Sequence, residues 1–188
     1  MKMDLRLASD HLNQADVPLW LLTAKVEDQL GGLIATFVQT ASLVPDVPRV
    51  VVGLAKHHHT TTLIEESQAF GLHALSEANI DLVWHFGMQS GKMADKFADV
   101  DYELSNGVPL VANVPLSMQC RVEATMDVGD RLLFLSAVEF VQKNSDAPPL
   151  FRNRMVELAT PEQLTELRSQ READSEIDRE AIEAWRSK

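Results

Sequence analysis

Gly32-Leu33-Ile34-Ala35-Thr36-Phe37-Val38-Gln39-Thr40-Ala41-Ser42-Leu43-Val44-Pro45 is followed, after a short connection, by Val50-Val51-Val52-Gly53-Leu54-Ala55 and Lys56-His57-His58-His59-Thr60. Hydroxyls, small residues and backbone amides collect on one strand and its exit. The second run is β-branched and ends in cationic and hydroxylic side chains. The layout suits a flat polar ring system with a phosphate at one end. Hydroxyls and a lysine can take the phosphate, while closely approaching backbone reads the ring edge.

Upstream, Leu5, Leu7 and Leu12 stand among polar residues as a short helix or lid, and Pro18 to Lys25 reads as a first strand ended by Glu27-Asp28-Gln29. Leu30 to Ser42 then completes a hairpin, with Gly31-Gly32 permitting a bulge or a close backbone approach. Arg49 to Ala55 is a buried strand. Thr60 is expected to cap a helix over Thr61 to Gln68, and Ala69 to Leu75 returns as a strand.

Further on, Asn79 to Met88 carries helical periodicity, and a short helix is expected over Lys92 to Phe97. Tyr102 to Val114 reads as a loop containing an Asn106-Gly107 turn. Leu116 to Met126 alternates: Leu116, Met118, Cys120, Val122 and Ala124 share the apolar parity, as in a half-buried strand. Arg131 to Val141 pairs with it across Asp127-Val128-Gly129-Asp130. The total is about six strands with short helices in the connections, which favours a Greek-key barrel over a βαβ array.

From Thr160 the composition changes. Thr160-Pro161-Glu162-Gln163 is a capping box with proline at the first helical position. Beyond it Leu164, Leu167, Ala173, Ile177, Ala181 and Trp185 form a thin apolar stripe on a charged helix. Two placements are open, on the chain's own barrel or across to a partner subunit. The expected division is a barrel domain over residues 1–159 and a charged helix over 160–188.

With 188 residues and 45% hydrophobic side chains, the chain can bury a substantial single core. Its net charge of −11 argues against general nucleic-acid binding, which needs a basic face. The single cysteine, Cys120, excludes an intrachain disulfide and a cysteine-based zinc finger. No apolar run approaches the roughly 18 residues of a membrane span, and Asp4 and Arg6 interrupt any signal-peptide core. A cytoplasmic protein is the expectation.

Several motifs in order carry a resemblance. Gly-x-x-Ala-Thr-x-x-x-Thr-Ala-Ser-Leu-x-Pro, residues 32–45, is similar to a signature of flavin reductase-like proteins. His58-His59-Thr60 with Leu63 to Phe70, and Ser90-Gly91-Lys92 through Asp95-Lys96-Phe97, resemble that family's following segments. Val108-Pro109-Leu110, Cys120 to Glu123 and Gly129-Asp130 fall in family order, so the resemblance covers about residues 18–142.

The resemblance implies a mainly β FMN-binding split barrel with flanking helices, usually a homodimer with flavin near the subunit interface. Such proteins pass hydride from a nicotinamide, NAD(P)H, to flavin, or hold flavin for electron transfer. FMN is the implied cofactor, with FAD the alternative. Carried over, Ile34, Ala35 and Thr36 border the ring, Ala35 and Thr36 through backbone amides, and Thr40 and Ser42 line the same strand. His58 and Thr60 match the phosphate side, with Lys56 and His57 beside them. Ser90, Lys92 and Lys96 belong to the segment expected to close over the cofactor.

The chain departs from the family pattern at four places. Ile34 replaces a threonine, and His58 replaces a serine and would act as a charged donor if protonated. Arg131 replaces the histidine after Gly-Asp near the nicotinamide, and Leu150 to Met155 replaces an aromatic-Arg-Gly-x-Tyr segment. Arg131 is therefore the candidate nicotinamide-side residue. No catalytic triad is needed, because fixed dipoles or a cation stabilise charge on a reduced ring.

A redox carrier without nicotinamide turnover is the alternative to an enzyme, and a barrel without flavin is a third reading. His57-His58-His59 invites a metal, but strand alternation would aim only His57 and His59 together, and no metal site is expected. Trp20, Trp84 and Phe86 read as core, and Cys120 as a buried small hydrophobe.

Overall fold

A computed structural model describes residues 4–88 and 96–188. The stretch that opens the chain's central motif is not one strand. It divides at Thr36-Phe37 into β2 (Gln29–Ala35) and β3 (Val38–Thr40). The reason lies in side-chain phase. Leu33, Ala35 and Val38 all enter the same core cluster, yet an unbroken strand would send Val38 to the face opposite Leu33 and Ala35. The two-residue break restores its phase.

The break also closes the sheet. β2 pairs antiparallel with β1 (Trp20–Val26), whereas β3 pairs with β4 (Arg49–Ala55). With β5 (Ala69–Ala74), β8 (Leu116–Asp127) and β9 (Arg131–Lys143), the seven strands run β2-β1-β5-β8-β9-β4-β3. Neighbours in sequence thus form the two opposite edges. Three Cα–Cα steps of about 3.8 Å span at most roughly 11 Å, so the sheet must curl until its edges nearly meet. The result is an antiparallel half-barrel flanked by helices.

Both faces of the sheet are covered near this split. Leu22, Ala24, Leu33 and Ala35 point into the barrel with Phe70, Leu72 and Phe134. Leu19, Leu21, Ile34 and Leu75 join a second cluster outside it, under α3 (Ile80–Met88) and α4 (Arg152–Leu158). Gly31 and Gly32 permit this close covering. A Cβ on Gly31 would lie 2.8 Å from Leu63 of α2 (His59–Ser67), and one on Gly32 would lie 2.5 Å from the Phe86 ring. The expected close backbone approach is present on both faces.

Four sequence expectations are corrected. The described residues form nine strands rather than six, because the expected second strand is divided in two and residues 102–111 are a hairpin and not a loop: β6 (Tyr102–Ser105) and β7 (Val108–Val111). Its turn has Asn106 and Gly107 both at positive φ, as two-residue hairpins favour. The hairpin docks on the outer sheet face through Thr23 Oγ1, which donates to Pro109 O at 2.5 Å, and through Ser105 Oγ, which donates to Gln119 Oε1 at 2.9 Å. Ser117 and Gln119 are consequently buried although they belong to the polar parity of β8.

The N-cap of α2 is His58 instead of Thr60. Thr60 and Thr61 are buried inside that helix, and Thr61 Oγ1 donates to Ala55 O at 2.8 Å. The helix expected over Lys92 to Phe97 falls largely outside the described residues.

The N-terminal leucines lie on or beside α1 (Arg6–Leu12), and α5 runs over Pro161–Arg186. Thr160 and Gln163 form the expected capping box. Within this chain α5 lies against β9 and α3: Asp178 Oδ2 pairs with Arg131 Nη2 at 3.0 Å, and Gln170 Nε2 donates to Met88 O at 3.0 Å. Among the described residues no helix is long and apolar enough to cross a membrane.

Candidate functional site

The curled edges, the end of α3 and the inner face of α5 enclose a cavity of about 810 Å³, within the usual range for small-molecule sites of about 300–1,000 Å³. Its barrel wall is the split itself, Ile34 to Phe37, with His58 and Arg131 beyond it and Trp84 on α3. Among the described residues β2 has a strand partner on one side only, so the alternate amides of its other side have no ladder to join there.

Arg131 is held in one orientation. Its Nε lies 3.2 Å from Asp130 Oδ2, its Nη2 lies 3.0 Å from Asp178 Oδ2 on α5, and the guanidinium stacks 4.8 Å from the Phe37 ring centroid. The stack presents a planar cation against the linker between β2 and β3.

His58 also lines the cavity, but as a neutral group. Burial, reinforced by His57, pushes its pKa down to about 4, so near neutrality it offers a neutral imidazole and no positive charge. His57 turns toward α5, with Nε2 at 3.1 Å from Asp174 Oδ1 and Nδ1 at 3.7 Å from Asp178 Oδ1. The strand-alternation argument for the three histidines does not apply, because β4 ends at Ala55, His57 and His58 lie in the turn that follows, and His59 opens α2. The rings of His57 and His58 meet edge to face at 4.4 Å. Together with Asp174 they place one donor atom each within 4.8 Å of one another, the set that could hold a small cation.

The remaining sequence candidates are scattered. Ala35 and Thr36 border the cavity with Ile34. Thr40 ends β3 and Ser42 lies just past it, and both are used locally: Thr40 Oγ1 donates to Ser42 O, and Ser42 Oγ accepts from Val44 N. Lys56 pairs with Asp127 at 2.8 Å on the exposed side, and Thr60 is packed under Gly31. Lys96 is buried, its Nζ donating to Gly32 O at 3.1 Å and Phe86 O at 2.7 Å, and burial lowers its pKa to about 8. It serves as an internal cap for the end of α3 and the edge of β2. Ser90 and Lys92 lie outside the described residues.

Two groups went unnoticed in the sequence. Phe37 was inside the decisive stretch, and its signal was an aromatic residue at the point where strand phase fails. Asp174 and Asp178 carry a subtler signal, two carboxylates one helical turn apart on a helix with an apolar stripe. Trp20 and Phe86 do pack in or against the two cores, whereas half-buried Trp84 both packs on the second cluster and lines the cavity.

The donor set fits a flavin ring. Edge amides and the Thr36 hydroxyl suit a ring rich in carbonyl and imide groups, and a fixed guanidinium suits its anionic parts.

Comparison with known proteins agrees. Residues 13–159 match the family described as flavin reductase like domain. A high molecular weight rubredoxin from Moorella thermoacetica is 32% identical over 123 residues, which span 64% of this chain and 53% of that protein. The chain thus matches about half the length of that relative. Among solved structures, a flavin reductase domain protein from Arthrobacter sp. FB24 superposes with a TM-score of 0.72 at 18% identity, covering 80% of this chain and 92% of the other. An FMN-binding protein from Thermus thermophilus gives a TM-score of 0.64 at 21% identity, covering 69% and 73%. At those identities the structural likeness speaks to the fold.

Proposed function

Because this chain belongs to the flavin reductase-like family, we propose that it binds FMN in the cavity at the barrel split and reduces it with NADH or NADPH. The observation that carries this reading is the meeting of the exposed edge of β2, the Thr36-Phe37 linker and the oriented Arg131 around one cavity. Bound flavin would supply the hydride-accepting ring.

The chain's own residues supply position and field. The amides of Ala35 and Thr36 would hold the ring edge, and Trp84 and Ile34 exclude water from its surroundings. Arg131, fixed by Phe37 and two carboxylates, presents N–H donors whose orientation is set before the reaction and needs no reorganisation during it. No side chain has to move a proton for hydride transfer itself. His58, neutral by burial, serves as a hydrogen-bonding group toward the phosphorylated tail.

A homodimer is part of the reading, supported by the exposed apolar side chains Leu43, Phe140 and Val141, and light scattering measures it. Stopped-flow mixing of the FMN-loaded protein with NADH and NADPH tests the function. Bleaching of flavin absorbance at a catalytically useful rate is expected. Binding of FMN without reduction by either nicotinamide would instead support a redox carrier. That second reading is favoured by one observation: Asp178 already occupies the cation expected to face the nicotinamide.

A further inference from the structure

Asp174 and Asp178 stand one turn apart on α5, so their side chains share a face. Both turn onto the barrel. Asp174 meets His57 at 3.1 Å, and Asp178 meets Arg131 at 3.0 Å while its other oxygen faces His57 at 3.7 Å. The Asp178 side chain is only 16% exposed, and its Oδ1 is buried without a hydrogen bond among the described residues. Burial raises the Asp178 carboxyl pKa; Arg131 and His57 oppose that shift, while Asp130 and Asp174 add to it.

Like charges at this spacing are destabilising by themselves, and a shielded carboxylate adds a desolvation cost. The Arg131 guanidinium opposite Asp178 offsets part of both. A carboxylate and a phosphate recognise a guanidinium through the same paired oxygen geometry. Asp178 therefore occupies the guanidinium contact that an anionic ligand group in this cavity would otherwise take.

We propose that Asp174 and Asp178 determine ligand specificity by charge: Asp178 neutralises Arg131 at the cavity wall and Asp174 adds negative charge beside it, so that the site gains little from each added phosphate on its ligand. The inference rests on the flavin reading given above. It differs from that reading in assigning a role to α5, whose carboxylates act as a built-in counter-anion.

The test compares riboflavin with FMN, which share the ring and differ by one phosphate. Dissociation constants are measured by flavin fluorescence on the full chain at low salt. Asp178→Asn and Asp174→Asn keep the side-chain shape and remove the charge. Asp174, 45% exposed, tolerates the change even if Asp178→Asn impairs folding. The preference for FMN over riboflavin is expected to rise by about tenfold in each variant, with riboflavin affinity held within about twofold in Asp174→Asn. An unchanged ratio, or an equal shift for both ligands, would overturn the proposal while leaving the flavin reading in place. Failure of the unmodified chain to bind either flavin would remove both.

Discussion

The amide of Val111 donates to Nε2 of His73 at 3.0 Å, deep under the β6–β7 hairpin. That one bond fixes the tautomer: Nε2 is the acceptor, so the proton resides on Nδ1, which donates to Leu21 O at 2.9 Å. A second proton on this ring would oppose the Val111 amide. Together with burial, which lowers the pKa from 6.5 to about 4, this makes the hairpin dock a pH-sensitive joint.

Between those two values the unfolded chain binds more protons than the folded one, so stability rises with pH through that window. The contribution is complete above about pH 6.5 and is lost as pH falls toward 4, to a total on the order of 3 kcal/mol. His58, whose pKa also falls to about 4, adds in the same direction. Urea midpoints measured from pH 7 to pH 4 should decline, with a shallower decline in His73→Gln. Equal slopes in the two proteins would show that His73 is not the source.

Gly71 lies beneath the same hairpin. A Cβ there would stand 2.4 Å from Thr23 Oγ1, 2.6 Å from Pro109 O and 2.7 Å from His73 Cε1. Since one of these is a backbone carbonyl, relief requires moving the hairpin. Gly71→Ala is expected to cost about 1–3 kcal/mol and to raise hydrogen exchange in residues 102–111. Gly107→Ala, with nothing within 4 Å, should leave exchange on β5 unchanged and lose only the strain of its positive φ, about 1 kcal/mol.

Arg131→Ala strands the Asp178 carboxylate opposite Asp130. The expected loss is about 1–3 kcal/mol in urea unfolding, together with slower flavin reduction. Adding Asp178→Asn removes the stranded charge, so the double variant should be more stable than Arg131→Ala alone, with a coupling of about 1 kcal/mol. A double variant less stable than the single would mean the pair is not coupled as drawn.

Gly129 seats the end of α5. Its φ is +104, and a Cβ would approach Trp185 Cβ at 3.1 Å and Ile182 Cα at 3.2 Å. Gly129→Ala should therefore speed amide exchange in residues 178–186 while leaving the exchange of β1 and β5 unchanged. Uniform exchange across the chain would contradict a local seat.

How far the sequence could be read followed from how local each signal was. β4 was legible to the residue because Val50 to Ala55 is an unbroken β-branched and apolar run, buried on the sheet. The capping box at Thr160 was equally legible, being complete within four residues. The break at Thr36 was not, since it arises from closure: Val38 must face a core made by β4 and β9, far away in sequence. Burial of Ser117 and Gln119 was hidden for a related reason, because the covering hairpin is a tertiary contact. Ile34 to Thr36 and Arg131, singled out by their order along the chain, do line the cavity. Asp174 and Asp178 were missed because their partners, His57 and Arg131, lie 117 and 47 residues away.

The most direct measurement is a titration of the purified full chain with FMN, followed by flavin absorbance and fluorescence. The account predicts saturation at one FMN per chain with a perturbed flavin spectrum, weakened by bulky substitution at Thr36. No detectable association, under conditions where the chain is folded, would contradict it.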